Sequence, residues 1–356
     1  MEISSDLVAV GLIERDTNND ILWTWSYPSI AYEKRNLLIQ KCGLECEPGS
    51  GGPIPPVTFR YCHHHRAWYY IYTTEVFDAD KLPKVRQFAL VLQTLEFNPE
   101  KYVNLSRILS KIYCKMGDPT AILNLYLSVI IRGSCTTEEN GTFLSREFDQ
   151  KAAFAASPIR NVINTFGLES ILIYTALILK KRIIVYHHEL DALLSFMRAL
   201  PALVWHRQNW NILYPYMELS ESECAELISL KTYAAGFTDA SVETRTDLYD
   251  VFVNLAATEI TVASHAKEAF GMSKTHKDIA MFMVRQAENT ELSNQDIIRE
   301  ISSKTMELLN NLKSLSSEEE DGHPVVTLES LKEHKLAASL ENFLWNLAVA
   351  EGFVKV

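Results

Sequence analysis

The stretch Ser157–Tyr216, SPIRNVINTFGLESILIYTALILKKRIIVYHHELDALLSFMRALPALVWHRQNWNILYPY, constrains this chain more than any other. Ser157-Pro158 reads as a helix start, with a hydroxyl N-cap and proline at the first helical position, where its missing N–H costs nothing. Gly167 is placed to close that helix. A second helix follows, with Leu168, Leu172, Thr175, Ala176 and Leu179 at helical spacing and Lys180-Lys181 at its negative end. Ile183-Ile184-Val185-Tyr186 has the β-branched and aromatic composition of a short buried strand. The chain from Glu189 to Leu200 reads as a helix stopped by Pro201, and Leu203-Val204-Trp205 as another strand. Helix, strand, helix, strand at these spacings predicts a parallel α/β layer.

The chain of 356 residues has room for two or three modules with apolar cores. Its net charge of -11 is spread along the sequence, and no basic stripe is interleaved with aromatics, which argues against nucleic acid as a partner. The opening MEISSD is not a secretory leader, and the six cysteines show no paired spacing, so a reducing compartment and a soluble intracellular chain are expected. The sequons at Asn104 and Asn140 would then stay unmodified. The longest apolar run, Ile171–Leu179, is well short of the ~18 residues that cross a bilayer, so no transmembrane segment is expected.

Upstream, Leu7–Ile13 (LVAVGLI) predicts a strand buried on both faces. The turn formers Asp16–Asp20 close it onto Ile21–Tyr27, where strict alternation would set Trp23, Trp25 and Tyr27 on one face. A helix over Tyr32–Cys42 comes next, then a loop at Cys46–Pro56. Strands at Thr58–His63, Ala67–Val76 and Gln87–Thr94 complete an antiparallel module. Asn98-Pro99 and Asp118-Pro119 start two helices that Gly117 and Gly133 end. Residues 134–156 read as a partly disordered connection.

Downstream, Ser220–Glu223 is a capping box, and Tyr249–Leu255 and Glu259–Val262 read as paired strands. Two helical stripes follow, Ile297/Ile301/Leu308/Leu312 and Leu336/Leu340/Phe343/Leu344/Leu347, separated by the acidic linker Ser316–Pro324.

Motifs for covalent chemistry are missing: the chain has no G-x-x-x-x-G-K-[ST], G-x-S-x-G, H-E-x-x-H or G-x-G-x-x-G. No catalytic residue, cofactor or metal site is expected. Cys42, Cys46, Cys62 and His63–His65 hold zinc-type ligands, but three consecutive histidines on a strand cannot converge on one ion, so a solvated hairpin is expected. Trp23, Trp25 and Tyr27 carry two open readings. They cover a helix of their own module or form an anchor for a partner, and the two are compatible, because an edge strand of that sheet could pair with another chain.

Laid out this way, the chain resembles the DENN-domain protein family over nearly its whole length. VGLIERDTNNDILWTWSYPS resembles the opening of that family's upstream, longin-like lobe. GLESILIYTALILKKRIIVYHHELDALLSFMRALPALVWHRQNWNILYPYM resembles its central lobe, and GFTDASVETRTDLYDVFVNLAATEITV its downstream lobe. The resemblance implies a bilobed α/β DENN module: a longin-like antiparallel-sheet lobe (1–133), a linker (134–156), a central parallel α/β lobe (157–219), and a downstream lobe with C-terminal helices (220–356). It also implies guanine-nucleotide exchange on a Rab-family GTPase, an activity that makes no covalent bond. The short members it resembles imply a cytoplasmic protein at late endosomes, bound to coiled-coil subunits of an endosomal recycling complex. A non-catalytic structural role there is the alternative function.

Overall fold

The computed structural model describes residues 6–44, 57–76, 79–138, 141–316, 318–320 and 323–354, so the loop expected at Cys46–Pro56 lies outside the described residues. The chain divides into two compact units, Met1–Ala153 and Phe154–Val356.

In the first unit, the expected strands and helix all form: β1 (Leu7–Asp16), β2 (Ile21–Tyr27), α1 (Tyr32–Lys41), β3 (Val57–His64), β4 (Ala67–Glu75) and β5 (Val85–Thr94). They make one antiparallel sheet in the order β2-β1-β5-β4-β3. The β1–β2 turn is fixed by Asp16, whose Oδ1 accepts from the backbone N–H groups of Asn18 at 2.8 Å and Asp20 at 2.9 Å. Two helices follow as expected, α2 (Pro99–Met116) and α3 (Pro119–Arg132). Asn98 and Asp118 cap their starts, and left-handed Gly117 and Gly133 end them. One face of the sheet packs on α2 and α3: Tyr102 of α2 stacks on Tyr70 at 4.6 Å, and Tyr113 meets Phe88 edge-on at 5.0 Å. The opposite face meets α1, where Thr73 donates to the carbonyl of Cys42 at 2.7 Å. The central strands are therefore buried on both faces, which their unbroken apolar runs require.

The start of the expected connection at residues 134–156 is instead a hairpin, β6 (Ser134–Thr137) with β7 (Gly141–Leu144). It is short and polar, so its pattern is weak, but Cys135 and Phe143 pair across it and are both buried. Ser128 of α3 ties it down by donating to Ser134 O at 2.7 Å.

The second unit starts within the short helix α4 (Gln150–Ala155), followed by α5 (Ile159–Phe166), α6 (Ser170–Ile178) and β8 (Arg182–Tyr186). Taken by length and composition, Gln150–Ile178 is apolar enough to span a membrane, and 61% of its most apolar window is buried. It is broken into separate helices at Ser157-Pro158 and at Gly167. Ser157 does not cap α5: its hydroxyl donates to Phe154 O at 2.6 Å, and Pro158 occupies the cap position. The stripe read for α6 also needs correction. The helix begins only at Ser170, after a 3₁₀ turn, and is buried almost all round; Leu168 is exposed and Leu172 half-buried. A helix enclosed on every side has no stripe to read.

The parallel layer comprises β8, β9 (Leu213–Met217), β10 (Tyr233–Phe237) and β11 (Val251–Asn254), with antiparallel β12 (Glu259–Val262) at one edge. The order is β12-β11-β8-β10-β9, so strands from residues 157–219 and 220–356 share one sheet. Helix α7 (Leu190–Ala199) lies between β8 and β9 in sequence, and α8 (Glu221–Ile228), capped by Ser220, leads to β10. The strand expected at Leu203–Trp205 is absent: those residues belong to a 3₁₀ stretch, Leu200–Arg207, kinked at Val204. The strand is β9, which begins ten residues after Leu203 and contains Pro215. Proline lacks a ladder donor and suits an edge, and β9 is the edge strand; its register slips between Ala235 and Phe237. Gly236 lies opposite, where an added Cβ would come within 2.5 Å of Pro215 O.

The rest is helical: α9 (Lys274–Glu288), α10 (Asn294–Lys313), α11 (Leu328–Glu333) and α12 (Ala338–Glu351). Ile297, Ile301, Leu308 and Leu312 are buried as their spacing predicts, as are Phe343, Leu344 and Leu347. The acidic segment is not a simple loop, since β13 (Glu318–Glu320) pairs with β14 (His323–Val325).

Candidate partner-binding surface

Trp23, Trp25 and Tyr27 all lie on edge strand β2, but they do not share a face. Leu12 pairs with Trp25 and the next residue, Ile13, pairs with Trp23, so Thr24 is an extra, bulged residue. Cross-strand partners project to the same side, and Leu12 and Ile13 project to opposite sides. Trp23 therefore points to the α1 face, while Trp25 and Tyr27 point to the α2/α3 face. A bulge leaves no trace in the alternation of a sequence, which is why strict period-two counting joins the three rings.

Trp23 is structural. Its indole lies across Gly11, where an added Cβ would come within 2.6 Å of Cζ2, and the guanidinium of Arg35 on α1 sits 5.7 Å from its ring centre. The reading in which a ring covers a helix of its own module holds for this residue. Trp25 is half-buried and Tyr27 is 41% exposed. Tyr27 meets Tyr126 of α3 edge-on at 6.4 Å. The Tyr126 hydroxyl is buried and makes no hydrogen bond, and burial pushes its pKa up, so it stays protonated.

Helical spacing puts Leu123 and Ile130, each about one turn from Tyr126, on the Tyr126 side of α3, and both are half-buried; Leu22, on the same face of β2 as Trp25 and Tyr27, is exposed. A charge on this side of the sheet is held in place: Glu14 accepts hydrogen bonds from the hydroxyls of Thr24, at 3.0 Å, and Tyr113. The result is an apolar, aromatic patch with little charge, suited to burying a partner's side chains and not to proton transfer. Reading the sequence for sites missed Leu123 and Ile130. The available signal was that α3 is apolar on more faces than one packing partner needs.

Two other clusters with suggestive chemistry have structural partners. Cys62 pairs with Tyr69 and His63 with Trp68, so they project to opposite faces of their sheet and do not converge on one ion. His63 is buried, stacked on Trp68 at 4.6 Å, and His65-Arg66 form the hairpin turn with positive φ. In the second unit, Asp250 accepts from the backbone and guanidinium of Arg182 and lies 3.0 Å from His265 Nε2. Burial would raise that carboxyl, but the hydrogen bonds from Arg182 and His265 outweigh it and hold the pKa low. This grouping ties the starts of β8 and β11 together.

A family model described as "Stabilization of polarity axis" matches residues 156–264, the interval that contains the whole parallel layer. DENN domain-containing protein 10 of Homo sapiens is 45% identical over 351 residues, covering 98% of this chain and 97% of that protein. Its namesake in Danio rerio is 43% identical over 350 residues, covering 98% of each chain. In Dictyostelium discoideum the protein of that name is 37% identical over 360 residues, covering 97% of each. Relationship at this level over almost the full length places the chain in the DENN domain-containing protein 10 family, with the α/β architecture described above as its fold.

Proposed function

We propose that this protein is a guanine-nucleotide exchange factor for a Rab-family GTPase at late endosomes, working from a longin-like upstream lobe and a DENN lobe. The observation that carries the proposal is the near full-length kinship with DENN domain-containing protein 10, since DENN-domain proteins as a family are associated with Rab exchange. Exchange needs no nucleophile and no acid–base pair, in keeping with a sequence that lacks the covalent motifs. The exchange factor binds the open GTPase more tightly than the nucleotide-bound form, and reciprocity then lowers nucleotide affinity. Accelerating release a thousandfold requires about 4 kcal/mol of preferential stabilisation. A broad apolar contact can supply that, and Trp25, Tyr27, Leu123 and Ile130 are the residues proposed to contribute.

The test is release of fluorescent GDP from a panel of purified Rabs. Acceleration on at least one of them, abolished by Tyr27→Asp, is expected. No acceleration on any Rab at micromolar protein sinks the exchange reading.

A second reading is favoured by the same patch: a non-catalytic subunit of an endosomal recycling complex that docks coiled-coil partners. An apolar seam on a partner helix is the chemistry this patch would accept. Retained capture of a coiled-coil partner without exchange would select this reading.

A further inference from the structure

We propose that the second unit carries an anion site for a phosphate monoester, formed where α6 joins β8. Leu177, Lys180, Lys181, Arg207, Asn209 and Thr232 are among the residues lining a cleft of about 60 Å³. That is room for a few water molecules, enough for one tetrahedral oxyanion and too little for a whole nucleotide.

The ordinary role for two lysines after a helix is to offset its exposed carbonyls. Here that role is already filled. The carbonyls of Thr175, Ala176 and Leu177 accept from the backbone N–H groups of Leu179, Lys181 and Lys180. Arg207 takes the rest, donating to Leu177 O at 2.7 Å and Ile178 O at 2.6 Å. The charge of Arg207 is itself balanced by Glu351, through Nε at 3.1 Å and through Nη2.

Lys180 and Lys181 are thus left over. Lys180 is exposed, with a left-handed φ of 52°, and Lys181 is half-buried. Neither ammonium pairs with a carboxylate among the described residues, although the chain has a net charge of -11. Beside them stand the Asn209 side chain, whose Oδ1 is used by the backbone of Asn211 while its amide N–H₂ group remains as a donor, and the Thr232 hydroxyl. Two unpaired positive charges with amide and hydroxyl donors match a phosphate monoester, which carries close to two negative charges at neutral pH. The ester's organic part would project out of the cleft. A free phosphorylated metabolite and a phosphorylated lipid headgroup share this chemistry.

Titrating the full chain with inorganic phosphate and with a soluble inositol phosphate, read by backbone amide shifts, tests the site. Vesicles of phosphatidylcholine with and without a phosphorylated inositol lipid provide the other arm. The site predicts saturable shifts at Lys180, Lys181, Asn209 and Thr232, weakened about tenfold or more in Lys180→Gln/Lys181→Gln. Binding of the soluble ligands assigns a free phosphate ester, and binding of the doped vesicles alone assigns a headgroup, if the double variant loses either. Thr232→Val with Asn209→Ala gives the same reading should the lysine variant fold poorly. Absence of binding in both arms, or equal binding by the variants, overturns the proposal.

Discussion

At the residue scale, two side chains have environments that set measurable behaviour. An added methyl at Gly11 would have to displace the Trp23 indole, a ring fixed under Arg35, and not a flexible chain end. Gly11→Ala should therefore cost about 1–3 kcal/mol in chemical denaturation, and much less in a Trp23→Leu background. His276 sits buried at the start of α9 against Phe343, with ring centres 4.2 Å apart. Its Nδ1 caps Ser273, its Nε2 has no partner, and burial lowers its pKa to about 4. A histidine held neutral stabilises the fold fully above its unfolded pKa near 6.5, and that contribution is lost as pH falls from there toward 4. Between pH 7.5 and pH 5 the loss should be about 2 kcal/mol. His276→Phe should flatten that part of the stability–pH curve; an unchanged slope would show that other groups cause it.

At the scale of elements, the end of α12 depends on one carboxylate. Burial would raise the Glu351 pKa, but hydrogen bonds from His206 and Arg207 and the Arg207 charge bring it down to about 2. Glu351→Gln should loosen α12, seen as faster amide exchange in its last turns and a loss of about 1–3 kcal/mol. Its pH dependence runs the same way as that of His276 but lower: the stabilisation is complete above the usual carboxylate pKa and disappears as pH falls toward 2.

Elements with a local rule were legible in the sequence. Asn98-Pro99 with Gly117 marks both ends of α2, and continuous Ile183–Val185 announces a strand buried on both faces. What escaped depended on partners far along the chain. Pro215 is a strand residue only because β9 is an edge, and Ser157 forgoes capping because Phe154 offers it a carbonyl. The candidate surface was half legible: the rings of β2 were visible, but the bulge that separates Trp23 from Trp25 and the flanking residues of α3 were not.

For the whole molecule, fold and function can be separated by where a charge is introduced. Ile184 is fully buried in the parallel layer, so Ile184→Asp should abolish cooperative unfolding, and the proposed exchange activity with it. Tyr27→Asp places a carboxylate on a side chain that is already 41% exposed. It should change melting little while removing partner engagement. Leu172, half-buried on α6, should fall between the two. If Tyr27→Asp melts the protein as Ile184→Asp does, the ring is a core residue and the proposed surface is wrong.

The bulge at Thr24 also bears on how the chain behaves in a crowded solution. Straight, regular edges template the stacking of copies into fibrils, and β2 with its Leu-Trp-x-Trp composition would be a hazardous segment if it were regular. One supernumerary residue spoils the spacing against a second copy. Deleting Thr24 would restore an even ladder, and the expected result is a protein that folds and then precipitates, with thioflavin-positive aggregates growing faster as concentration rises.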